Sequence, residues 1–421
     1  MKKSIYPFVF FGIVALCFIA CEKVEEDGFQ EDKLIERKDF VLTRSELEFI
    51  QNNNDFAIEL FKRVADNEEG KSMLISPLSV TIDLGMVNNG ALGETREEIS
   101  RVLGYPEGSV DGLNSFCQSM LVQSAGVDPT TTLNIANAAI INKLHVPLKD
   151  HFTKAIQSFY DAEVFYKEFG KDDVKGLVNE WCAEKTKGMI PVFLEQQPLP
   201  YEYAHFINAV YFKGGWSRKF DKKDTKQEAF TREDGSRSSM KMMWQKGQFE
   251  HGGMSGLCQA LCLPYGNQAY RMIVLLPFEE KTIEDVKDAL DADTWNSLLK
   301  GMNKSMEAEI KLPVFETTTP LLSLGKTLSV LGMQRAFSLQ ADFSAMTDYP
   351  IHIDDIIQMA RIKVDETGSE AAAVTDITMS GAGPNPGELP VIRFYCDRPF
   401  LYVITEVSSG AIFFMGQFTG K

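Results

Sequence analysis

Residues 366–390 constrain the fold of this chain more than any other segment, because their two halves favour different backbone conformations. From Ser369 to Met379, every second side chain is small, apolar or hydroxylated, and the charged Glu370 and Asp376 share the opposite face. This period of two predicts a half-buried strand. The seven residues 381–387 contain three glycines and two prolines, which exclude a regular strand.

A strand-competent segment therefore leads directly into an exposed, protease-accessible one. The pattern alone leaves two interpretations open. The segment is either an ordinary edge strand followed by a loop, or a bait loop whose first half can itself become a strand.

Hydrophobic periodicity predicts that helices dominate the first half of the chain and strands the second. No linker rich in Pro, Gly or Ser separates the halves and no internal repeat occurs, so we predict one large α+β domain over residues 45–421. The predicted helices cover residues 45–64, 77–90, 95–103, 149–159, 172–186, 282–300 and 321–332. The predicted strands cover residues 133–142, 206–212, several stretches within 230–277, and a hairpin of 400–407 with 411–418.

Composition excludes one class of partner. The 421 residues are 44% hydrophobic and 24% charged, as in ordinary folded proteins. Acidic residues outnumber basic ones by 59 to 43, which gives a net charge of −16. Because nucleic-acid affinity comes largely from neutralising phosphates, we expect no nucleic-acid partner.

The N-terminus has the pattern of a secretory signal. Lys2 and Lys3 precede an apolar run over residues 5–20, and Cys21 follows the small Ala20. The run is shorter than the roughly 20 residues that a membrane span needs. Residues 18–21 resemble a bacterial lipobox, so we predict a signal peptide over 1–20 and lipidation at Cys21, with simple secretion as the alternative.

Residues 21–44 then form a predicted acidic tether. Its Glu25, Glu26 and Asp27 resemble the surface-export signals of some Gram-negative lipoproteins, although a tether can simply be charged. We therefore expect a protein secreted across the inner membrane and held at the outer membrane or cell surface, facing outward.

Five cysteines remain after Cys21. An odd number at irregular spacing argues against a disulfide framework. Cys258 and Cys262 fall on one face of a strand-like stretch, where core packing is a better interpretation than metal binding because no suitably spaced histidine pair lies nearby. The full set is Cys117, Cys182, Cys258, Cys262 and Cys396.

Catalytic chemistry has no positive signal in the sequence. The five histidines are scattered, and nothing supplies a nucleophile, a base and an orienting group in a recognisable context. We therefore expect no enzyme activity, no metal and no cofactor.

The segment 366–390 resembles the hinge and reactive loop of the serpins, and other motifs resemble serpin signatures in the same order. Together they cover about nine-tenths of the chain. The resemblance implies a single α+β domain with three β-sheets, eight or nine helices and an exposed reactive loop. The motifs lie at residues 54–57, 76–79, 90–95, 208–214 with Trp216, 263–265, 275–277, 331–333, 341–344, 398–400 and 414–416.

The resemblance also implies a mechanism. A serine protease attacks the loop and forms an acyl-enzyme, and the cut loop then inserts as a new central strand before water can release the enzyme. The implied hinge must enter the sheet without bulky or charged obstacles, and its small residues favour inhibition over a carrier or chaperone role. That hinge comprises Glu366, Gly368, Ser369, Glu370, Ala371, Ala372, Ala373, Val374 and Thr375.

Glu366 matches the glutamate that the family numbers as the seventeenth residue before the cut, and this places the reactive bond between Ala382 and Gly383. A small bait residue suits elastase-like or subtilisin-like enzymes, and cysteine proteases remain possible targets. The alternative bond, Met379–Ser380, would suit chymotrypsin-like enzymes.

Further positions resemble the polar shutter and the loop entry point of the family. Trp216 matches the entry tryptophan, although a large core aromatic is the simpler interpretation. The segment 113–123 near the polyanion-binding helix has no Lys or Arg, so we expect no heparin-type activator, and we expect a monomer. The implied shutter residues are Ser76, Ser79, Asn208 and, in place of a common histidine, Gln358.

Overall fold

Nine α-helices and sixteen β-strands occur in the part of the chain that the computed structural model describes, residues 36–68, 70–105, 109–144, 147–369 and 390–421. The helices are α1 (Arg44–Asn67), α2 (Pro77–Asn88), α3 (Gly93–Val102), α4 (Val110–Ser124), α5 (Asp150–Tyr160), α6 (Val174–Lys185), α7 (Ile283–Ala289), α8 (Ala292–Gly301) and α9 (Gly325–Val330).

The strands are β1 (Met73–Ile75), β2 (Thr131–Asn142), β3 (Glu163–Lys167), β4 (Ala204–Gly215), β5 (Lys226–Thr231), β6 (Arg237–Gln248), β7 (His251–Met254), β8 (Cys258–Pro264), β9 (Tyr270–Pro277), β10 (Glu307–Pro313), β11 (Phe315–Ser323), β12 (Ile357–Asp365), β13 (Gly368–Ser369), β14 (Val391–Tyr395), β15 (Phe400–Glu406) and β16 (Ile412–Phe418).

These strands form three sheets. The central sheet has the order β11-β12-β13-β4-β2-β3, a second six-stranded sheet the order β1-β16-β15-β9-β8-β7, and a four-stranded sheet the order β14-β10-β6-β5. The predicted α+β class with three sheets and eight or nine helices is confirmed.

Helix α2 passes through the centre of the molecule. All twelve of its residues are buried, so it has no polar face for solvent. Ser76 caps its first turn by accepting a hydrogen bond from the backbone N–H of Ser79, and Pro77 occupies the first helical position, where its missing N–H costs nothing. The sequence therefore fixes the start of α2, and with it the position of two shutter residues.

Two apolar clusters hold the central sheet. The larger cluster lies on its inner face, together with α1, α2 and the second six-stranded sheet. The smaller cluster joins Ile207 and Ala209 of β4 to Trp181 and Cys182 of α6, so α6 covers part of the outer face. The sheet is consequently buried on both sides where α6 crosses it.

The five cysteines of the described domain are all free and buried. Burial in apolar surroundings raises the pKa of the Cys396 thiol and brings that of Cys117 to about 12. Neutral thiols of this kind behave as small apolar side chains.

No described helix is long and apolar enough to cross a bilayer.

The structure corrects the prediction of a helix over residues 321–332. Leu322 and Ser323 pair with Gln358 and Ile357 of β12, so they continue β11, and only α9 is helical. For these two residues, pairing with β12 outweighed the helical spacing of apolar residues on which the prediction rested. The helical stretch predicted over 282–300 is also divided into α7 and α8, because Asp291 caps a new helix with its side chain on the N–H of Thr294.

Candidate functional site

The two-residue strand β13 lies between the central strands β12 and β4 and is antiparallel to both. Ser369 pairs with Val364 on one side and with Gly214 on the other. The start of the predicted hinge therefore already occupies the position of a central strand. Within the described strands, β12 and β4 are joined through β13.

The remaining loop predictions lie outside the described residues. These are the hinge residues Glu370, Ala371, Ala372, Ala373, Val374 and Thr375, both candidate bonds (Ala382–Gly383 and Met379–Ser380), and the lipidation site Cys21.

Ser369 faces the inner side of the sheet. It is fully buried, and its hydroxyl shares a 2.6 Å hydrogen bond with the phenol of Tyr265. Burial raises the pKa of Tyr265 far above that of a free phenol, so the phenol stays neutral. Since strand residues alternate between faces, Ser369 fixes which side of any continued β13 would face the core.

Gly368 fits its position because it lacks a side chain. Its φ of 148° is in the region that other residues rarely adopt. A Cβ at this position would overlap the backbone carbonyl oxygen of Gly214. The glycine therefore lets the chain turn out of β12 and enter beside β4.

Trp216 ties the end of β4 to the turn before β13. Its ring stacks on Tyr265 with centroids 4.5 Å apart, and its indole N–H donates to the carbonyl of Asp365 over 3.0 Å. Its backbone N–H donates to the carbonyl of Thr367. Trp216 is thus both a buried aromatic and a direct contact of the hinge, so the two interpretations of this residue are compatible.

Glu366 anchors the same turn from the outside. Its carboxylate accepts a 2.9 Å hydrogen bond from the hydroxyl of Thr225, and its carbonyl accepts one from the backbone of Phe220. Asp365 accepts from both the N–H and the hydroxyl of Thr367. The chain is therefore held firmly up to the residue at which the hinge enters the sheet.

Gln358 locks β12 to the start of α2. Its side-chain oxygen accepts from the N–H of Ser76 over 3.0 Å, and its amide donates to the carbonyl of Ser76 over 2.9 Å. The hydroxyl of Ser76 in turn donates to the carbonyl of Phe413 in β16. One amide side chain thus satisfies both backbone groups of a buried residue.

A second chain of buried hydrogen bonds connects α2 with β4 and β2. The hydroxyl of Ser79 donates to Asn208 over 2.5 Å, and Asn208 donates to Asn137 over 2.6 Å. Asn137 then donates to the carbonyl of Tyr160. The structure therefore brings Ser76, Ser79, Asn208 and Gln358 to the same layer beneath the central sheet.

Sequence reasoning missed two members of this site. Asn137 interrupts the apolar run of β2, which was a usable signal because a buried amide needs partners. Tyr265 lies in the motif 263–265, but its contact with Ser369 depends on tertiary structure that no local pattern encodes.

Replacing Gln358 by Met is expected to lower the thermal midpoint by several degrees. Met keeps the volume but leaves the Ser76 N–H buried without a partner, which costs about 1–3 kcal/mol. Differential scanning calorimetry at a fixed scan rate checks the midpoint. Gln358→Glu, which can still accept from Ser76, serves as the comparison, and an unchanged midpoint for the Met variant would contradict the locking role.

Asp83 lies one helical turn after Ser79 on α2 and is buried. Its Oδ1 has no hydrogen-bond partner among the described residues. Burial raises the pKa of Asp83 well above its usual range. Because the unfolded chain releases this proton at about pH 3.9, the folded state loses stability as the pH rises from there towards the folded pKa.

Asp83→Asn is therefore expected to raise the thermal midpoint, since a neutral amide of the same shape removes the proton linkage. The difference between variant and parent is expected to be small at about pH 4 and to grow towards pH 8. Parallel thermal scans across this range measure it. Asp288→Asn, at an exposed position on α7, is the control, and a difference that stays flat with pH would refute the assignment.

Comparison with known proteins identifies relatives over almost the whole chain. A family model described as "Serpin (serine protease inhibitor)" matches residues 51–420. The leukocyte elastase inhibitor of Homo sapiens is 30% identical over 378 residues, which cover 87% of this chain and 98% of that protein.

Two solved structures are similar in fold. The native state of the thermophilic serpin tengpin superposes with a TM-score of 0.81 at 27% identity, covering 91% of this chain and 96% of that chain. Human thyroxine-binding globulin complexed with thyroxine gives a TM-score of 0.79 at 26% identity, covering 89% and 98%.

Proposed function

The chain belongs to the serpin family, and from that premise we propose that it irreversibly inhibits serine endopeptidases by inserting its cleaved reactive loop into the central sheet. The observation that carries the proposal is the position of β13, which already pairs with both β12 and β4. Residues after Ser369 that inserted between β12 and β4 would extend the strand pairing that β13 already makes. Insertion would therefore not have to start a new strand.

The register of β13 defines where each inserted residue would lie. Continued by one residue at a time, it would set Ala371 beside Phe212 and Ile362, and Ala373 beside Val210 and Ala360. These alternate residues would share the inner face with Ser369. Their small side chains suit a layer that is already packed.

Two positions support the proposal in different ways. In the same register Thr375 would reach Asn208 and Gln358, where its hydroxyl meets the polar shutter. Glu370 would lie on the outer face between Lys213 and Lys363, so its charge would be compensated across both neighbouring strands. The hinge can therefore carry one acidic residue near its start.

We propose an elastase-like serine protease as the target, engaged at Ala382–Gly383. A small bait residue and the 30% identity to the human leukocyte elastase inhibitor support this class. Subtilisin-like and cysteine proteases, and a chymotrypsin-like enzyme at Met379–Ser380, are the alternatives that the test distinguishes. We also propose that the inhibitor is a monomer that needs no cofactor.

Incubating the purified protein with a panel of these proteases tests the proposal. A complex that survives denaturing electrophoresis supports inhibition, whereas quantitative cleavage without a complex indicates a non-inhibitory binding, carrier or chaperone-like member. Turnover of an added substrate would indicate an enzyme. Mass spectrometry of the released fragment locates the bond, because a fragment starting at Gly383 supports Ala382 and one starting at Ser380 supports Met379.

Lipidation at Cys21 is our proposal for localisation, and it rests on the signal-like residues 1–20 and the lipobox-like residues 18–21. Cys21→Ser would then release the protein from the membrane fraction or block its processing. Unchanged partitioning of the variant would leave simple secretion, or another means of attachment, as the explanation.

A further inference from the structure

An open groove of about 690 Å³ lies on the solvent face of the four-stranded sheet. This volume is within the range of roughly 300–1,000 Å³ that small-molecule sites in proteins occupy. The groove contains no residue of the hinge or the shutter. Strands β6, β10 and β14 supply five of its lining residues and β8 of the second six-stranded sheet supplies the sixth: Trp244, Lys246, Glu309, Val391, Arg393 and Gln259.

Strand pairing sets three charged residues side by side in the groove. Glu309 of β10 is directly opposite Arg393 of β14 on one side and Lys246 of β6 on the other. Residues that are directly opposite each other share a face of a sheet. Ala308 and Ile310, the neighbours of Glu309 in β10, are buried, so the charged row lies on the solvent face.

Two of the three charges in this row already have partners. The carboxylate of Glu309 accepts a 3.1 Å hydrogen bond from the indole N–H of Trp244. Hydrogen bonds from Trp244 and Tyr395 lower the pKa of Glu309, so its carboxyl group is ionised at neutral pH. Lys246 forms an ion pair with Glu307 over 2.8 Å.

Two polar groups that line the groove are free to bind a ligand. Neither the guanidinium of Arg393 nor the side-chain amide of Gln259 makes a hydrogen bond or an ion pair with any described residue. Because Glu309 occupies the indole N–H of Trp244, the aromatic ring is the part of that side chain left for a ligand. Val391, which is 44% exposed, adds an aliphatic surface. A few convergent polar groups beside apolar ones are typical of small-molecule sites.

We propose that this groove binds a small aromatic carboxylate. The planar guanidinium of Arg393 matches a carboxylate with two parallel N–H donors, and the amide of Gln259 can donate a third hydrogen bond. The ring of the ligand would lie against Trp244 and Val391. The ionised Glu309 opposes a second negative charge on the ligand, so a monoanion fits this groove better than a dianion. The site does not depend on whether the reactive loop inserts.

A ligand in the groove would join β14 to β6 across β10. It would bind the folded sheet and not the unfolded chain, so it would raise the stability of the folded protein as its concentration rises. Since β14 directly follows the connection over residues 370–389, the same ligand would also oppose the separation of β14 from β10.

Isothermal titration calorimetry of the full chain with 2-naphthoate tests the proposal. We expect one molecule to bind per chain with a Kd on the order of 100 µM, as suits a ligand of this size. The uncharged 2-naphthamide has the same ring and should bind at least about tenfold more weakly, because it cannot form the charge-assisted pair with Arg393. Equal affinity for the acid and the amide would overturn the inference, and so would the absence of binding at millimolar 2-naphthoate.

Arg393→Gln removes the guanidinium at an exposed position and should weaken 2-naphthoate binding at least about tenfold. Arg237→Gln is the matched control, because it removes an exposed arginine from the same sheet outside the groove and should leave the affinity unchanged. Thermal scans without ligand establish that both variants are folded. Parental affinity in Arg393→Gln would show that the probe binds elsewhere and would overturn the inference.

Two further measurements address the ring and the stabilisation. Trp244→Leu should weaken binding several-fold, whereas Trp244→Phe, which keeps an aromatic ring, should retain most of it. Saturating 2-naphthoate should raise the thermal midpoint of the parent by a few degrees and leave that of Arg393→Gln unchanged. Equal shifts in parent and variant would overturn the inference. Because the groove contains no hinge or shutter residue, such a failure would leave the proposed inhibition intact.

Discussion

Cleavage of the loop within residues 381–387 is expected to raise the thermal midpoint of this protein by about 20 °C. A strand added between β12 and β4 gains backbone hydrogen bonds on both sides. At about 0.5–1.5 kcal/mol net for each bond, ten inserted residues contribute on the order of 10 kcal/mol. At roughly 2 °C per kcal/mol for a large domain, this corresponds to the expected shift.

The connection from β13 to β14 would keep the intact chain from gaining this stability by itself. Residues 370–389 connect β13 to β14, which belongs to the four-stranded sheet. While this connection is intact, the loop is held at both ends, and full insertion would have to pull β14 out of its pairing with β10. The uncleaved protein would then be a kinetically trapped state, and cutting the connection would remove the restraint.

Thermal scans of intact and cleaved protein, with mass spectrometry to locate the cut, measure the effect. Protein cut only in the segment before Arg44 is the control, because that cut leaves the loop connected. Equal midpoints for the intact and loop-cleaved forms would show that the loop does not insert.

Part of this site could be predicted from sequence, because it depends on local patterns. The alternation from Ser369 onward predicts which residues share a face, and the buried contact with Tyr265 places Ser369, the first of them, on the inner face of the sheet. The start of α2 could be predicted in the same way, since Ser76 and Pro77 are residues that commonly begin helices.

The rest of the site could not be predicted, because it depends on strand pairing between segments that are far apart in the sequence. No local signal shows that Gly368 and Ser369 enter between β12 and β4, because the partners lie up to about 150 residues earlier in the chain. The environment of Asp376 is a second example. In the continued register Asp376 would lie beside Ile207 and Ile357, which pack in the apolar cluster beneath α6. The sequence pattern assigns Asp376 to the same face as Glu370, but it does not show that α6 covers this part of the face.

Ala373→Arg is expected to convert the inhibitor into a substrate. In the continued register Ala373 would lie between Val210 and Ala360 on the inner face, and Ala360 is itself only 4% exposed. An arginine there would bury a charge without a partner, at a cost of several kcal/mol. Each 1.4 kcal/mol added to the insertion barrier slows that step about tenfold, so hydrolysis of the acyl-enzyme would precede insertion.

The initial attack should be almost unchanged, because the substitution lies nine residues before the proposed bond at Ala382. The expected result is thus rapid cleavage by elastase with little stable complex, measured as a steep rise in the number of inhibitor molecules consumed per enzyme inactivated. Ala372→Glu is the matched control, since it also adds a charge to the hinge but would set it on the outer face beside Arg361, where an ion pair can form. Because only Ala373→Arg would bury a charge without a partner, Ala372→Glu should still trap most of the enzyme. If Ala373→Arg traps elastase as efficiently as the parent, insertion of the loop between β12 and β4 is not how this protein inhibits.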